Sequence, residues 1–167
     1  MTIDIATNAL AQQIENPTLT IFSKIIAHTF DPIVLVIIGI LIASYIYIKV
    51  SKKKGIFLAA TILITGILIK IFKEIFQRAR PLNSLIPESS FAMPSGHATM
   101  IIVFFGLIIY SLTNKKHRKT TLIITALISL IIGLTRIYLR VHWLTDVIAG
   151  FILGGIILTI AILIYKK

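Results

Sequence analysis

Long uncharged apolar runs, with the polar residues gathered between them, set the pattern of this chain. Pro32–Ile48 lies between Asp31 and Lys49 and carries no charge. Gly55–Ile69 is followed by Lys70 and a pattern that stays helical to about Phe76. Ala98–Asn114, Thr120–Thr135 and Val147–Tyr165 repeat the arrangement. A helix needs roughly 17–25 such residues to cross a bilayer, fewer when its ends snorkel. The pattern predicts five transmembrane helices with short connectors. Ahead of them Leu19, Phe22, Ile25 and Ile26 recur at helical spacing around Lys24 and His28, which predicts an amphipathic helix lying in the membrane interface. The expected fold class is all-α: a polytopic membrane helical bundle, about five transmembrane helices plus an N-terminal interfacial helix, forming a single domain over residues 1–167.

Composition strengthens this picture. Of 167 residues, 57% are hydrophobic and 14% charged, and the mean hydropathy is +0.97. A soluble domain is just under half apolar and about a quarter charged, so a soluble globule and a disordered chain are both excluded. The net charge of +11, from 17 basic and six acidic residues, raises nucleic acid as a partner, but the placement of the charges answers otherwise. Lys49, Lys52, Lys53 and Lys54 follow the first span. Lys115, Lys116, Arg118 and Lys119 separate the third from the fourth, and Lys166 and Lys167 close the chain. With five spans these clusters share one side, which the excess of Lys and Arg in cytoplasmic loops assigns to the cytoplasm. The bilayer is the expected partner, and nucleic acid is not. Two other connectors, Gln77–His97 and Arg136–Asp146, then face outward with the N-terminus. They nonetheless hold Arg78, Arg80, Arg136 and Arg140, and cations on the disfavoured side call for a reason. The chain has no cysteine, hence no disulfide, thiolate zinc site or cysteine nucleophile. The first 23 residues lack Lys and Arg but include Asp4 and Glu15, the wrong opening for a cleaved signal peptide, so the N-terminus is expected to be retained.

Three segments supply the reason. Lys73 and Arg80, seven apart, would project from one helix face two turns apart, with Pro81 stopping the helix at the membrane surface. Pro94-Ser95-Gly96-His97 immediately precedes a span. There Ser95 suits an N-cap, Gly96 permits close backbone approach, and the helix start offers free N–H groups to an anion. In the third segment Arg136 precedes His142 and Asp146, which stand four apart so that the carboxylate can reach the imidazole. All three lie at outward ends of spans. Three fixed cations, helix-start amides and two histidines suit a phosphate. Phosphoryl transfer needs its equatorial oxygens neutralised, an in-line nucleophile and an acid for the leaving oxygen. Lys73, Arg80 and Arg136 would supply the charge, His142 oriented by Asp146 the nucleophile, and His97 the general acid and then the base for water.

These motifs, KxxxxxxRP, PSGH and RxxxxxHxxxD in that order, resemble the type 2 phosphatidate phosphatase superfamily, or lipid phosphate phosphatases. The resemblance covers about residues 73–154, including Val141-His142-Trp143-Leu144-Thr145-Asp146-Val147. It implies a metal-independent phosphatase working through a phosphohistidine, without a cofactor, on an all-helical core. Carried over by position, Lys73, Arg80, Ser95, Gly96 and Arg136 would bind phosphate, His97 would be the acid, His142 the nucleophile and Asp146 its partner. Thr135 stands where the family usually has Ser before the third-motif Arg, and a hydroxyl is kept. The five-span plan resembles short bacterial undecaprenyl-diphosphate phosphatases, so undecaprenyl diphosphate is the expected substrate, with phosphatidate or phosphatidylglycerol phosphate as alternatives. The expected location is the cell membrane, multi-pass, with the active site facing the extracytoplasmic side.

Lys70, Arg78 and Arg140 fit no motif position and read as interfacial anchors or lipid-headgroup contacts. His28 and His117 read as surface residues in their loops. Gly150 and Gly154 form a GxxxG expected to pack inside the bundle. The loop 82–93, with Asn83, Glu88, Ser89 and Ser90, is the expected headgroup contact. A metal-dependent hydrolase would want more carboxylates than Glu74, Glu88 and Asp146. An anion carrier, the non-enzymatic alternative, predicts cations near the bilayer centre or an interrupted helix.

Overall fold

A computed structural model describes residues 2–112 and 118–165. Lys115, Lys116 and His117, with Lys166 and Lys167, lie outside the described residues, as does the end of the span expected to reach Asn114. Among the described residues there are seven helices: α1 Thr2–Gln13, α2 Pro17–Thr29, α3 Pro32–Lys49, α4 Lys52–Phe76, α5 Gly96–Leu112, α6 Arg118–Tyr138 and α7 Leu144–Tyr165. α3 to α7 fall where the five apolar runs placed them. α3, α4 and α7 are each long and apolar enough to cross a membrane, whereas the apolar stretches of α5 and α6, Gly96–Tyr110 and Leu122–Tyr138, are shorter.

Helix starts follow their sequence signals. Asn16 caps α2 by accepting the Leu19 N–H at 2.9 Å, with Pro17 in the first turn. Asp31 caps α3 through the Ile33 N–H at 2.8 Å, with Pro32 beside it. Such a cap contributes about 1 kcal/mol, and a first-turn proline has no amide hydrogen to leave unpaired. The core runs along α3, α4, α5 and α7 through Leu35, Ile46, Leu58, Ile62, Met100, Leu107 and Ile157. Outside it Ile37, Leu41, Ile56, Ile67, Leu127, Ile152 and Ile160 are exposed, the surface that lipid would solvate.

α5 and α7 pack through their small residues. A Cβ at Gly150 would stand 2.7 Å from the Ser95 carbonyl oxygen, and one at Gly154 would stand 2.8 Å from that of Thr99. Without water to drive apolar surfaces together, such close backbone approach is what holds helices in a bilayer. It also fixes register, because the Ser95 N–H reaches the Asp146 carbonyl at 3.0 Å. The second and third motifs are thereby bonded backbone to backbone. The glycine pair is an interior packing device, as expected.

α1 is the element the hydrophobic pattern does not announce. It turns Ile3, Ile5, Leu10 and Ile14 outward and buries Asp4 and Ala11. α2 is the expected amphipathic helix. It buries Ser23 and Ala27, exposes Ile21, Phe22 and Ile25, and carries the exposed His28 on its last turn rather than in a loop.

Candidate active site

A cavity of about 210 Å³ opens where α2 gives way to α3, α4 stops and α5 begins. Lys73, Arg80, Gly96, His97 and His142 line it, with Asp31, Glu88 and Ser90 at its margin. Arg136, 1% exposed, and Ser95, wholly buried, stand behind that surface. Three motifs separated by up to 73 positions (Lys73 to Asp146) therefore converge at one end of the bundle. A larger groove of about 420 Å³ between α1, α2 and α6 is lined by residues such as Leu10, Ile14, Phe22 and Leu134 and contains no charged side chain.

Lys73 comes from the last turn of α4, but Arg80 does not continue that helix. Gln77 takes the left-handed conformation at φ 43° and closes α4, its N–H bonded to the Lys73 carbonyl at 2.9 Å. The expectation of Lys73 and Arg80 two turns apart on one helix face is thus corrected. Helix geometry ends at Phe76, and Arg80 returns to the site from the irregular segment that follows. Its Nη1 donates to the Val141 carbonyl and its Nε to the Ser90 carbonyl, both at 2.6 Å. Nη1 also stands 3.4 Å from His142 Nε2. The Lys73 ammonium donates to Ser90 Oγ at 3.3 Å and to the Phe91 carbonyl. Lys73 and Arg80 are drawn together by the same two loop residues, since Arg80 Nη2 also donates to Ser90 Oγ and to the Phe91 carbonyl.

Glu88 answers the remaining charge. One carboxylate oxygen pairs with Arg136 Nη2 and the other lies 3.6 Å from Arg80 Nη2. Among the described residues Arg136 Nε has no hydrogen-bond partner. A protein carboxylate thus stands between the two guanidiniums expected to hold an anion. Burial costs the guanidinium of Arg80 proton affinity, and Glu88 and Asp146 return part of it.

The histidines come from opposite sides. His97 bonds through Nε2 to the Ala27 carbonyl of α2 at 3.1 Å. A carbonyl only accepts, so Nε2 carries hydrogen and Nδ1 is the free ring nitrogen. His142 is buried, and its Nδ1 lies 3.6 Å from Asp146 Oδ2. That is beyond hydrogen-bond length, and among the described residues Nδ1 makes no hydrogen bond of good geometry. Asp146 is held elsewhere: Oδ2 accepts the Trp143 N–H at 2.8 Å and Oδ1 accepts from Arg78 Nη1 at 2.6 Å. Burial pushes the His142 imidazole well below its ordinary proton affinity, Arg80, Arg136 and Lys73 push it the same way, and the Ala92 backbone returns a smaller part.

Two further expectations are corrected. The Ser95 hydroxyl does not cap α5; among the described residues Oγ has no partner, while the Ser95 carbonyl takes both N–H and Oγ1 of Thr99 at 3.0 Å. Arg78 and Arg140 are not free headgroup anchors. Arg78 pairs with Asp4 and Asp146, and Arg140 pairs with Glu15 at 2.7 Å and donates to the Asn83 carbonyl. Lys70 is exposed, as an interfacial anchor would be. The roles missed are those of Asp4, Arg78 and Glu88. Their only sequence signal is scarcity: with six acidic residues against 17 basic, each carboxylate has cations to choose from. Among the described residues no group of three His, Asp or Glu side chains is placed to hold a metal ion.

A model of the PAP2 superfamily matches residues 54–167. The chain belongs to the PAP2 superfamily. Among PAP2 proteins, it is 41% identical over 91 residues to phosphatidylglycerophosphatase B of Bacillus subtilis, covering 51% of this chain and 45% of that protein. It is 32% identical over 120 residues to the undecaprenyl-diphosphatase of Sulfolobus acidocaldarius, covering 68% and 56%. The chain spans about half the length of these curated relatives. In structure it resembles the transmembrane PAP2 type phosphatidylglycerolphosphate phosphatase of Bacillus subtilis, with a TM-score of 0.91, 29% identity, and 99% of this chain and 86% of that one covered. Aquifex aeolicus LpxE aligns with a TM-score of 0.74 and 26% identity, covering 95% and 93%. Among the described residues, three helices long and apolar enough to span and the apolar outer faces suit this PAP2 chain to a membrane.

Proposed function

We propose that this protein hydrolyses the phosphate or diphosphate of a membrane lipid through a phosphohistidine on His142. The observation that carries this reading is the convergence of Lys73, Arg80, His97 and His142 on one cavity at the end of an apolar bundle, with Arg136 behind. His142 Nε2, facing the cations, would attack phosphorus as the P–O bond to the lipid breaks. His97, as the imidazolium with Nε2–H held by the Ala27 carbonyl and a second proton taken up on Nδ1, would give that second proton to the leaving oxygen. Water would then attack the phosphohistidine with His97 taking its proton, and phosphate would leave. Lys73, Arg80 and Arg136 would hold the equatorial oxygens, with Gly96 admitting the phosphate close to the start of α5 and the Ser95 hydroxyl behind it. Asp146, near Nδ1, would keep the proton there and the lone pair on Nε2.

Undecaprenyl diphosphate is our first choice of substrate, and phosphatidylglycerol phosphate is supported equally by the relatives. Both phosphates can be presented at the membrane surface without the lipid leaving the bilayer, which supplies orientation and local concentration. The lysines at the far end of the bundle support an extracytoplasmic site. Carrier chemistry is less favoured, because the cations gather at one end and the helices expected to span are continuous. The test is phosphate release by purified protein from undecaprenyl diphosphate, phosphatidylglycerol phosphate, phosphatidate and lipid A phosphate in mixed micelles, with EDTA present. Turnover that survives chelation, together with an acid-labile phosphoenzyme, is expected. Activity abolished by EDTA and restored by Mg²⁺ would overturn the mechanism.

A further inference from the structure

Asp4 lies in a helix outside all three motifs, yet it is 3% exposed and fully bonded. Its Oδ1 accepts the Thr145 N–H at 3.0 Å. Its Oδ2 accepts from Thr145 Oγ1 at 2.8 Å and from Arg78 Nη2 at 2.7 Å. The same guanidinium turns Nη1 to Asp146 Oδ1 and to Thr145 Oγ1, both at 2.6 Å. Trp143 completes the enclosure. Its ring lies 5.8 Å from the Arg78 guanidinium carbon, its Nε1–H bonds the Ala79 carbonyl, and its backbone N–H bonds Asp146 Oδ2. Both oxygens of Asp146 are therefore fixed by partners other than His142, and the one nearer Nδ1 stands off by 3.6 Å.

We propose that Asp4 and Arg78 are positioning residues that act through Asp146, setting its orientation and the negative charge it presents to His142. The argument is one of shared charge. A single guanidinium lies between two buried carboxylates. While Asp4 answers part of it, Asp146 retains net negative charge toward the imidazole. Without Asp4, Arg78 would neutralise Asp146 alone, in a setting where such interactions are weakly screened. The N-terminal helix would thus be joined to the catalytic imidazole by a continuous chain, Asp4–Arg78–Asp146–His142. The inference rests on the reading of His142 as nucleophile. The bland alternative is that Asp4 only fastens α1 to the bundle.

The other charged or titratable groups facing His142 are Lys73 from α4, Arg80 from the 77–95 connector, His97 from α5 and Arg136 from α6, with Glu88 behind the arginines. Among the described residues none of them is bonded to the side chain of Asp4 or Arg78, whose partners are Thr145, Asp146 and each other. Asp4→Asn keeps the shape and removes the charge; Arg78→Gln removes the opposite charge; Arg78→Lys retains it. His142 is titrated by NMR in histidine-labelled protein in micelles, its signal assigned by loss in His142→Gln. The kcat, KM and acid limb of kcat/KM are measured on a lipid phosphate in parallel.

The ring titration of His142 is expected to move to lower pH in Asp4→Asn and to higher pH in Arg78→Gln, with Arg78→Lys returning toward wild type. The kcat of Asp4→Asn should fall roughly ten- to hundredfold, with KM within about twofold. Two variants shifting in opposite senses cannot come from loosening of α1, which would lower thermal stability and leave the titration in place. An unmoved ring titration in folded Asp4→Asn and Arg78→Gln would overturn the proposal. If instead wild-type protein releases phosphate from no lipid, the functional reading fails, while the titration still decides whether the chain of charge exists.

Discussion

The two ends of this bundle handle positive charge in opposite ways. At the α3–α4 turn Lys49, Lys52, Lys53 and Lys54 are all exposed. Among the described residues, their one charge-related contact with a side chain is Lys52 lying over the Tyr47 ring. At the other end Arg78, Arg80, Arg136 and Arg140 each have a carboxylate partner, drawn from Asp4, Glu15, Glu88 and Asp146. Four of the six acidic residues in the chain are used there. A solvated lysine costs little to keep and confers little structure. A buried guanidinium must be answered, and the groups that answer it become fixed in turn. Charge at the first end is suited to orienting the protein in a membrane, and charge at the second to building a site.

The largest way to break this contrast is at its centre. His142→Ala should lower kcat on a lipid phosphate by about four orders of magnitude or more, since residues acting as a unit fail together. Phosphate release in mixed micelles, with folding checked by circular dichroism, measures it. A folded, fully active variant would leave the arginine end without its mechanism.

A smaller effect concerns the anion already present. The Glu88 carboxylate lies between Arg80 and Arg136, where vanadate, a mimic of five-coordinate phosphorus, would have to stand. Glu88→Gln removes that competitor, so the vanadate inhibition constant should fall roughly tenfold, about 1.4 kcal/mol. An unchanged constant would show that the carboxylate and the anion do not share the position.

How much of this was legible follows from distance along the chain. The five apolar helices are local, and helical geometry converts them directly into position; the PSGH and His142–Asp146 spacings were legible as neighbourhoods only, because His142 lies outside α7 at 3.6 Å from Asp146 and Ser95 does not cap α5. The convergence of three motifs was legible because alternate connectors between antiparallel spans return to the same end of the bundle. Arg80 leaving the helix was not, because Gln77 adopts a left-handed φ that favours glycine. α1 was not, because its buried face is Asp4 and Ala11, which no apolar periodicity marks. The Asp4–Arg78 pair spans 74 positions, and nothing near either residue names the other.

Acid should separate the two ends further. With its proton affinity pushed well below the ordinary value of 6.5, His142 stays neutral where a typical imidazole would be half protonated. At pH 6.5 the His142-dependent part of kcat/KM should therefore keep nearly its plateau value rather than half of it, failing only as pH falls through the lowered pKa. The unfolded chain takes up that proton from pH 6.5 downward and the folded chain does not, so stability should decline as pH drops through this window. His142→Gln should flatten that part of the decline in thermal unfolding, whereas a steep acid limb centred on 6.5 in wild type would contradict the buried geometry.

The smallest effect on turnover belongs to the lysine end. Replacing Lys52, Lys53 and Lys54 by Gln alters three exposed side chains at the opposite end of α4 from Lys73. Each such change is expected to move stability by no more than about 0.5 kcal/mol, and kcat/KM per folded molecule should stay within about twofold. What should change is insertion, because loop lysines bias orientation. The chain has no cysteine, and Leu82 is fully exposed at the site end, so Leu82→Cys gives a single labelling position. In an otherwise unchanged chain, an impermeant thiol reagent should reach it without permeabilisation, and in the lysine-to-glutamine background a fraction should become protected. Loss of turnover beyond twofold, with labelling unchanged, would mean that the lysines act on the site rather than on orientation, and the division of labour between the two ends would fail.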